Sequence, residues 1–82
     1  MERTAILSET TNVFKDVLEN DQIILNDGTT ANDVEEWDSL NHIQLVVAIE
    51  KKFKIRFTSK EIQSWSNVGE MIDCIKSKIK VS

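Results

Sequence analysis

The sequence predicts an all-α fold: a four-helix bundle with three longer helices, one short third helix and a long loop between helices one and two. Three observations carry that expectation. Apolar residues return at helical spacing in separate stretches. No stretch alternates convincingly as a strand, and proline is absent from the 82 residues. Two further stretches carry the Thr- or Asn-x-x-Glu spacing that opens helices. The length fits one small domain, so residues 1–82 are expected to form a single unit, with no internal repeat or low-complexity segment.

Helix one is expected from Arg3 to about Asn20, where Ile6, Leu7, Val13, Phe14, Val17 and Leu18 form one stripe and Glu9, Lys15, Asp16 and Glu19 fall mostly opposite. Residues 21–38 form a long connection, unusual in so small a domain and often functional. Ile23, Ile24 and Leu25 are expected to pin it to the core, and Asn26-Asp27-Gly28 is a turn signal.

Helix two is expected to open at an Asp38 N-cap and end near Phe53, with Lys51 and Lys52 at its negative end. Its apolar face is wider than one buried stripe requires. Leu45, Val46, Ile49 and Phe53 occupy one arc, and Leu40, Ile43 and Val47 an adjacent one. Either the helix is packed on two sides, or the second arc is an exposed docking face.

Residues 54–57 are a short connection carrying Ile55 and Phe57. Thr58 and Glu61 have capping-box spacing for a short helix three, which contains Ile62 and stops before Trp65. Asn67 and Glu70 repeat that spacing for helix four, which runs to about Lys80. Its core stripe is Val68, Met71, Ile72, Ile75 and Ile79, and Lys76, Lys78 and Lys80 suit its C-terminal end.

Composition excludes several function classes. A lone Cys74 allows no intramolecular disulfide, and no sequence feature marks it as an activated thiolate. One His and one Cys do not make a structural zinc site of the usual kind. The first residues hold no long apolar stretch, so no signal peptide is expected, and no run approaches the roughly 20 residues needed to span a bilayer. A cytoplasmic protein without stable membrane insertion is the expectation.

The net charge of −4 conceals a division. Residues 1–50 hold 2 basic and 11 acidic side chains, and residues 51–82 hold 8 basic and 3 acidic. The acidic half calls for basic partner surfaces and disfavours nucleic acid. Its loop does not fit an EF-hand, since Gly28 at position six of such a loop would put Ile23 where a carboxylate is required.

Ser39 stands at the head of helix two, where free backbone N–H groups and the helix dipole favour a phosphate. By that position alone it reads rather as an ordinary residue of a first helical turn. His42 lies three residues on, but a Ser–His hydrolase also needs an orienting acid and an oxyanion hole, and no nucleophile-elbow motif is present. His42 therefore reads as a packing or helix-face residue. Trp37 and Trp65 read as packing residues at helix ends, with the edge of a docking surface as the alternative for Trp37.

In this order of elements the chain resembles the acyl carrier protein family. The resemblance is carried by Asp38-Ser39-Leu40, Ile43, the run Leu45 to Glu50, and Phe53, and it continues through Ile55, Glu61, Ile62 and the Val68–Ile75 helix. The tripeptide alone is weak; at the head of the second helix, after a long loop and in a chain of this length, it is specific. The resemblance implies a four-helix bundle whose Ser39 bears 4′-phosphopantetheine, attached covalently from coenzyme A. It also implies that Leu40, Ile43 and Val47 belong to a partner-docking face, on which Asp38, Gln44 and Glu50 are placed with them. The implied partners are a phosphopantetheinyl transferase, a ligase or transferase that loads acyl or aminoacyl groups, and a downstream synthase or acyltransferase, with the chain a monomer.

The chain departs from carriers of fatty acid synthesis in several places. Gln44 stands where an acid is common, Lys51 and Lys52 follow Glu50, and Trp37 precedes the motif. These differences suit a dedicated carrier of a specialised pathway. An aminoacyl or peptidyl carrier of the same fold and an unmodified helical interaction module remain the alternatives.

Overall fold

The computed structural model describes residues 2–80 and contains each expected helix: α1 (Arg3–Val17), α2 (Ser39–Phe53), the short α3 (Ser59–Ser64) and α4 (Val68–Lys80). One short element was not expected, a 3-10 turn at Ala31–Asp33 in the long loop. There the Asp33 carboxylate accepts from the Thr30 N–H at 3.0 Å. No described residue forms a strand.

The stripes explain the packing. α1 lies along both α2 and α4. Ile6 and Phe14 of α1, Leu45 and Ile49 of α2, and Val68, Met71, Ile72 and Ile75 of α4 are fully buried. Leu7, Val17 and Ile79 pack at the margin of this core. α3 places no side chain in the fully buried interior and is held largely by its ends. Glu61 closes its capping box, accepting from Thr58 N–H at 2.8 Å, and pairs with Lys78 of α4 at 2.9 Å. The Thr58 N–H, and after it Lys78, hold the Glu61 carboxyl below its usual range. The side chain of Lys80, expected to serve the end of α4, lies outside the described residues.

α1 ends at Val17, three residues earlier than expected. Glu19 takes a left-handed conformation, φ 54°, and the Asn20 N–H turns back to the Lys15 carbonyl. α2 ends the same way: Lys54 is left-handed at φ 57°, and the Ile55 N–H reaches the Glu50 carbonyl. Glycine is the usual residue at this position, so neither end is signalled by residue type.

The long loop is seated on the start of α4. Asn26 Oδ1 accepts from the Gly28 N–H, and Thr29 Oγ1 accepts from the Asn26 N–H. This tight turn aims two carbonyls at α4, where the Val68 N–H donates to Thr29 and the Gly69 N–H to Asp27. Two of the orphan donors of that helix are satisfied in this way. A Cβ at position 69 would lie 2.9 Å from the Asp27 carbonyl oxygen, so the approach requires glycine. Arg3 locks the seat. Its guanidinium binds both Asp27 carboxylate oxygens at 2.7 Å, Asp73 Oδ1 at 2.8 Å and the Gly69 carbonyl at 3.0 Å.

Ile23 and Leu25 pin the loop as expected, but Ile24 does not: it is 83% exposed. In extended chain, side chains alternate sides, so burying Ile23 and Leu25 turns Ile24 outward.

Candidate functional site

The site is built at the N-terminus of α2. Asp38 caps the helix, its Oδ1 accepting from the Asn41 N–H at 2.8 Å. Asn41 holds the incoming chain in turn, donating from Nδ2 to the Glu36 carbonyl at 2.7 Å. Ser39 is then the first helical residue, and it is exposed. By helix geometry its own N–H and that of Leu40 have no acceptor within the helix.

Beside Ser39 runs a cleft of about 670 Å³, walled by Trp37 and His42 on one side and by Gln63, Trp65 and Asn67 on the other. Its wall is an aromatic relay. Trp37 and Phe14 meet edge to face at 4.9 Å, Trp37 and His42 lie side by side and nearly coplanar with ring centres 5.9 Å apart, His42 meets Trp65 at 6.1 Å, and Trp65 meets Phe57 at 4.9 Å. Trp37 is buried, which makes it a packing residue and removes it from any exposed docking rim.

Trp37 Nε1–H donates to His42 Nδ1 at 2.9 Å. That bond needs a neutral imidazole with its proton on Nε2. Burial pushes the His42 pKa down, which favours the same neutral form. The lone pair on Nδ1 is therefore committed to Trp37, and no hydrogen bond joins His42 to Ser39. Sequence reading missed this pair, although a signal was present. Trp37 and His42 occupy the positions just before the cap and four into the helix, the pairing of a hydrophobic staple.

The proposed docking residues divide. Leu40, Ile43 and Val47 are 68%, 63% and 44% exposed, and Gln44 is exposed with them. The two arcs of α2 thus part, one into the core and one into solvent. Asp38 is exposed but engaged in the cap. Glu50 is half-buried, and its Oε2 accepts from the Phe57 N–H at 2.8 Å, which ties it to the connection after α2.

Elsewhere, Cys74 is half-buried with Sγ 3.7 Å from Glu61 Oε2. Burial, and then the Glu61 charge, raise its pKa, the opposite of an activated thiol. Among the described residues no group of three His, Cys, Asp or Glu side chains is placed to hold a metal ion, and no helix is long and apolar enough to cross a membrane.

Three comparisons with known proteins bear on this geometry. The family described as a phosphopantetheine attachment site matches residues 8–75. An acyl carrier protein of Coprothermobacter proteolyticus is 30% identical over 81 residues, covering 96% of either chain. The solution NMR structure of holo acyl carrier protein from Geobacter metallireducens superposes with a TM-score of 0.88 at 38% identity, covering 93% of this chain and 87% of that one. The local structure fits the prosthetic group these findings imply, since an exposed hydroxyl stands at a helix N-terminus beside an open cleft. The chain belongs to the acyl carrier protein family, whose members bear phosphopantetheine and are carriers rather than catalysts.

Proposed function

We propose that Ser39 bears the 4′-phosphopantetheine and that this chain, as one carrier domain, shuttles thioester-bound acyl intermediates between enzymes of fatty acid, polyketide or related biosynthesis. The observation that supports this most directly is the exposure of Ser39 as the first residue of α2, just after the Asp38 cap. A transferase reaching for that hydroxyl meets no covering side chain. A phosphodiester there gains about 0.3–1 kcal/mol from the helix terminus. When bound, the group supplies a terminal thiol on a flexible arm, which raises the effective concentration of cargo at a docked enzyme.

The chain's own residues do the presenting. Asp38 and Asn41 fix the helix start, and Trp37 and His42 brace it from behind. Leu40, Ile43 and Val47 offer apolar anchors along the same helix. Gln44 and the lysines after Glu50 favour a dedicated carrier of a specialised pathway over the housekeeping role, with cargo chosen by the loading enzyme.

Intact mass after incubation with a phosphopantetheinyl transferase and coenzyme A tests the assignment. One adduct is expected on the native chain and none on Ser39→Ala. An adduct that persists in Ser39→Ala refutes the site, and no adduct under conditions that load another carrier favours an unmodified interaction module. Separately, Ile43→Asp or Val47→Asp should weaken turnover by partner enzymes while the helical circular dichroism stays unchanged.

A further inference from the structure

We infer that the docking face of α2 is bipolar: its partner presents basic residues opposite the Ser39 end and carboxylates opposite a basic groove at the far end. The inference rests on the carrier reading. The groove, of about 570 Å³, is lined by Val47, Glu50, Lys51, Lys54, Ile55 and Arg56. It begins at the last exposed apolar anchor, Val47, so it continues the face that Leu40 and Ile43 open.

Lys51, Lys54 and Arg56 are exposed, and none makes an ion pair among the described residues. The same holds of Lys60 and Lys76; what sets the groove apart is that three such cations lie together in it. By contrast Lys52 is paired with Glu9 at 2.6 Å, and Lys78 with Glu61 at 2.9 Å. Glu50, the one acid in the groove, points its carboxylate at the Phe57 N–H, a bond internal to the fold. The helix dipole accounts for a cation in the last turn of α2 but not for Arg56, which lies beyond the helix.

At the other end stand Glu35, which is exposed, and Glu36 and Asp38, whose carboxylates accept from Asn20 Nδ2 and the Asn41 N–H and keep their charge, as Glu50 does in the groove. From Ser39 to Lys54 the helix rises about 22 Å. That exceeds two Debye lengths of about 8 Å at physiological salt, so a partner meets the two poles as separate charges. Such a gradient sets the direction in which the partner lies along α2. It also disfavours partners whose docking surface is basic throughout, since like charges in register are costly.

The test uses the apo protein and, as probe, a fatty-acid ketoacyl synthase whose carrier-docking surface is basic along its length. Loading of Ser39 is scored separately by mass, so failure of the carrier reading shows there and not in the binding constant. Reversing the groove with Lys51→Glu, Lys54→Glu and Arg56→Glu should tighten Kd at least about tenfold at low salt, with the gain fading as salt rises. The neutral variant, glutamine at all three positions, should fall between, and it carries the comparison if the reversed variant loses its helical spectrum. A synthase given glutamates at the end of its docking surface facing the groove should reverse the preference and favour the native chain.

Equal Kd for native and reversed chains overturns the inference. So does the same gain per reversed charge from Lys60→Glu with Lys76→Glu, two exposed lysines outside the groove, because net charge alone would then be responsible. Groove-dependent sedimentation with phosphatidylglycerol vesicles, without the synthase effect, assigns the groove to an anionic lipid surface and overturns it as well.

Discussion

Helices α2 and α4 line the same core and treat their other faces differently. α4 buries Val68, Met71, Ile72 and Ile75 and turns Glu70, Asp73, Lys76 and Ser77 to solvent. α2 buries Leu45, Val46 and Ile49 and turns Leu40, Ile43 and Val47 outward. α4 shows what the fold asks of a helix in this position: one apolar stripe and a polar back. The outward apolar residues of α2 exceed that requirement. They lie on the helix that begins at Ser39, and in the carrier reading proposed above this excess serves presentation rather than stability.

The largest expected effect separates the two faces. Ile75→Ala, in the fully buried stripe of α4, should cost about 2–5 kcal/mol in chemical denaturation. Ile43→Asp, on the exposed face of α2, should stay within about 0.5 kcal/mol of the native chain. Similar losses for both would show that the outer arc of α2 is core after all, and the contrast would collapse.

The next effect concerns how each helix begins. α2 is capped by a neighbouring side chain, Asp38, whereas the first N–H groups of α4 are capped by carbonyls of a distant loop. Gly69→Ala would bring a Cβ to 2.9 Å from the Asp27 carbonyl, against backbone that cannot swing aside. A loss of about 1–3 kcal/mol is expected, with faster amide exchange at Val68 and residue 69. Unchanged exchange there would mean that the loop is not what closes the start of α4.

This contrast also marks what the sequence makes legible. Starts of α2, α3 and α4 were readable because Asp38, Thr58 with Glu61, and Asn67 are side-chain caps at short range. The seat of the loop on α4 was not, since backbone-to-backbone bonds carry no side-chain signature. Its one trace was Gly69 just inside a helix, where glycine is otherwise unfavourable. The end of α1 was hidden because Glu19 holds a left-handed conformation without being glycine. Spacing put Ser39 at the head of α2 and separated the outer arc from the inner one, but it left open whether that arc was packed or exposed, which packing alone decides. The retreat of Glu50 to the Phe57 N–H could not be read from spacing, because it depends on how the chain turns after Phe53.

A smaller effect should follow pH. His42 is held neutral, with its pKa below the ordinary 6.5 because of burial, and its Nδ1 accepts from Trp37. The unfolded chain therefore binds the proton more readily than the folded one. This contribution to stability is complete above about pH 6.5 and is lost as the pH falls through the lower folded value. Thermal melts between pH 7 and 5 should show the decline, accompanied by a change in tryptophan fluorescence. His42→Gln should flatten that part of the profile. An identical slope in the variant would place the titration on other groups.

The smallest effect separates fold from docking at a single position. Lys54 ends α2 in a left-handed conformation that costs a non-glycine residue roughly 1 kcal/mol. Its charge also lines the basic groove. Lys54→Gly should therefore raise stability by about 0.5–1 kcal/mol. It should do so while removing one of the three cations that distinguish the far end of α2. A stability gain together with tighter binding to a uniformly basic partner would show that lysine serves the surface at the expense of the fold. A stability loss would mean instead that its side chain supports the turn, and position 54 would then serve the fold as well as the surface.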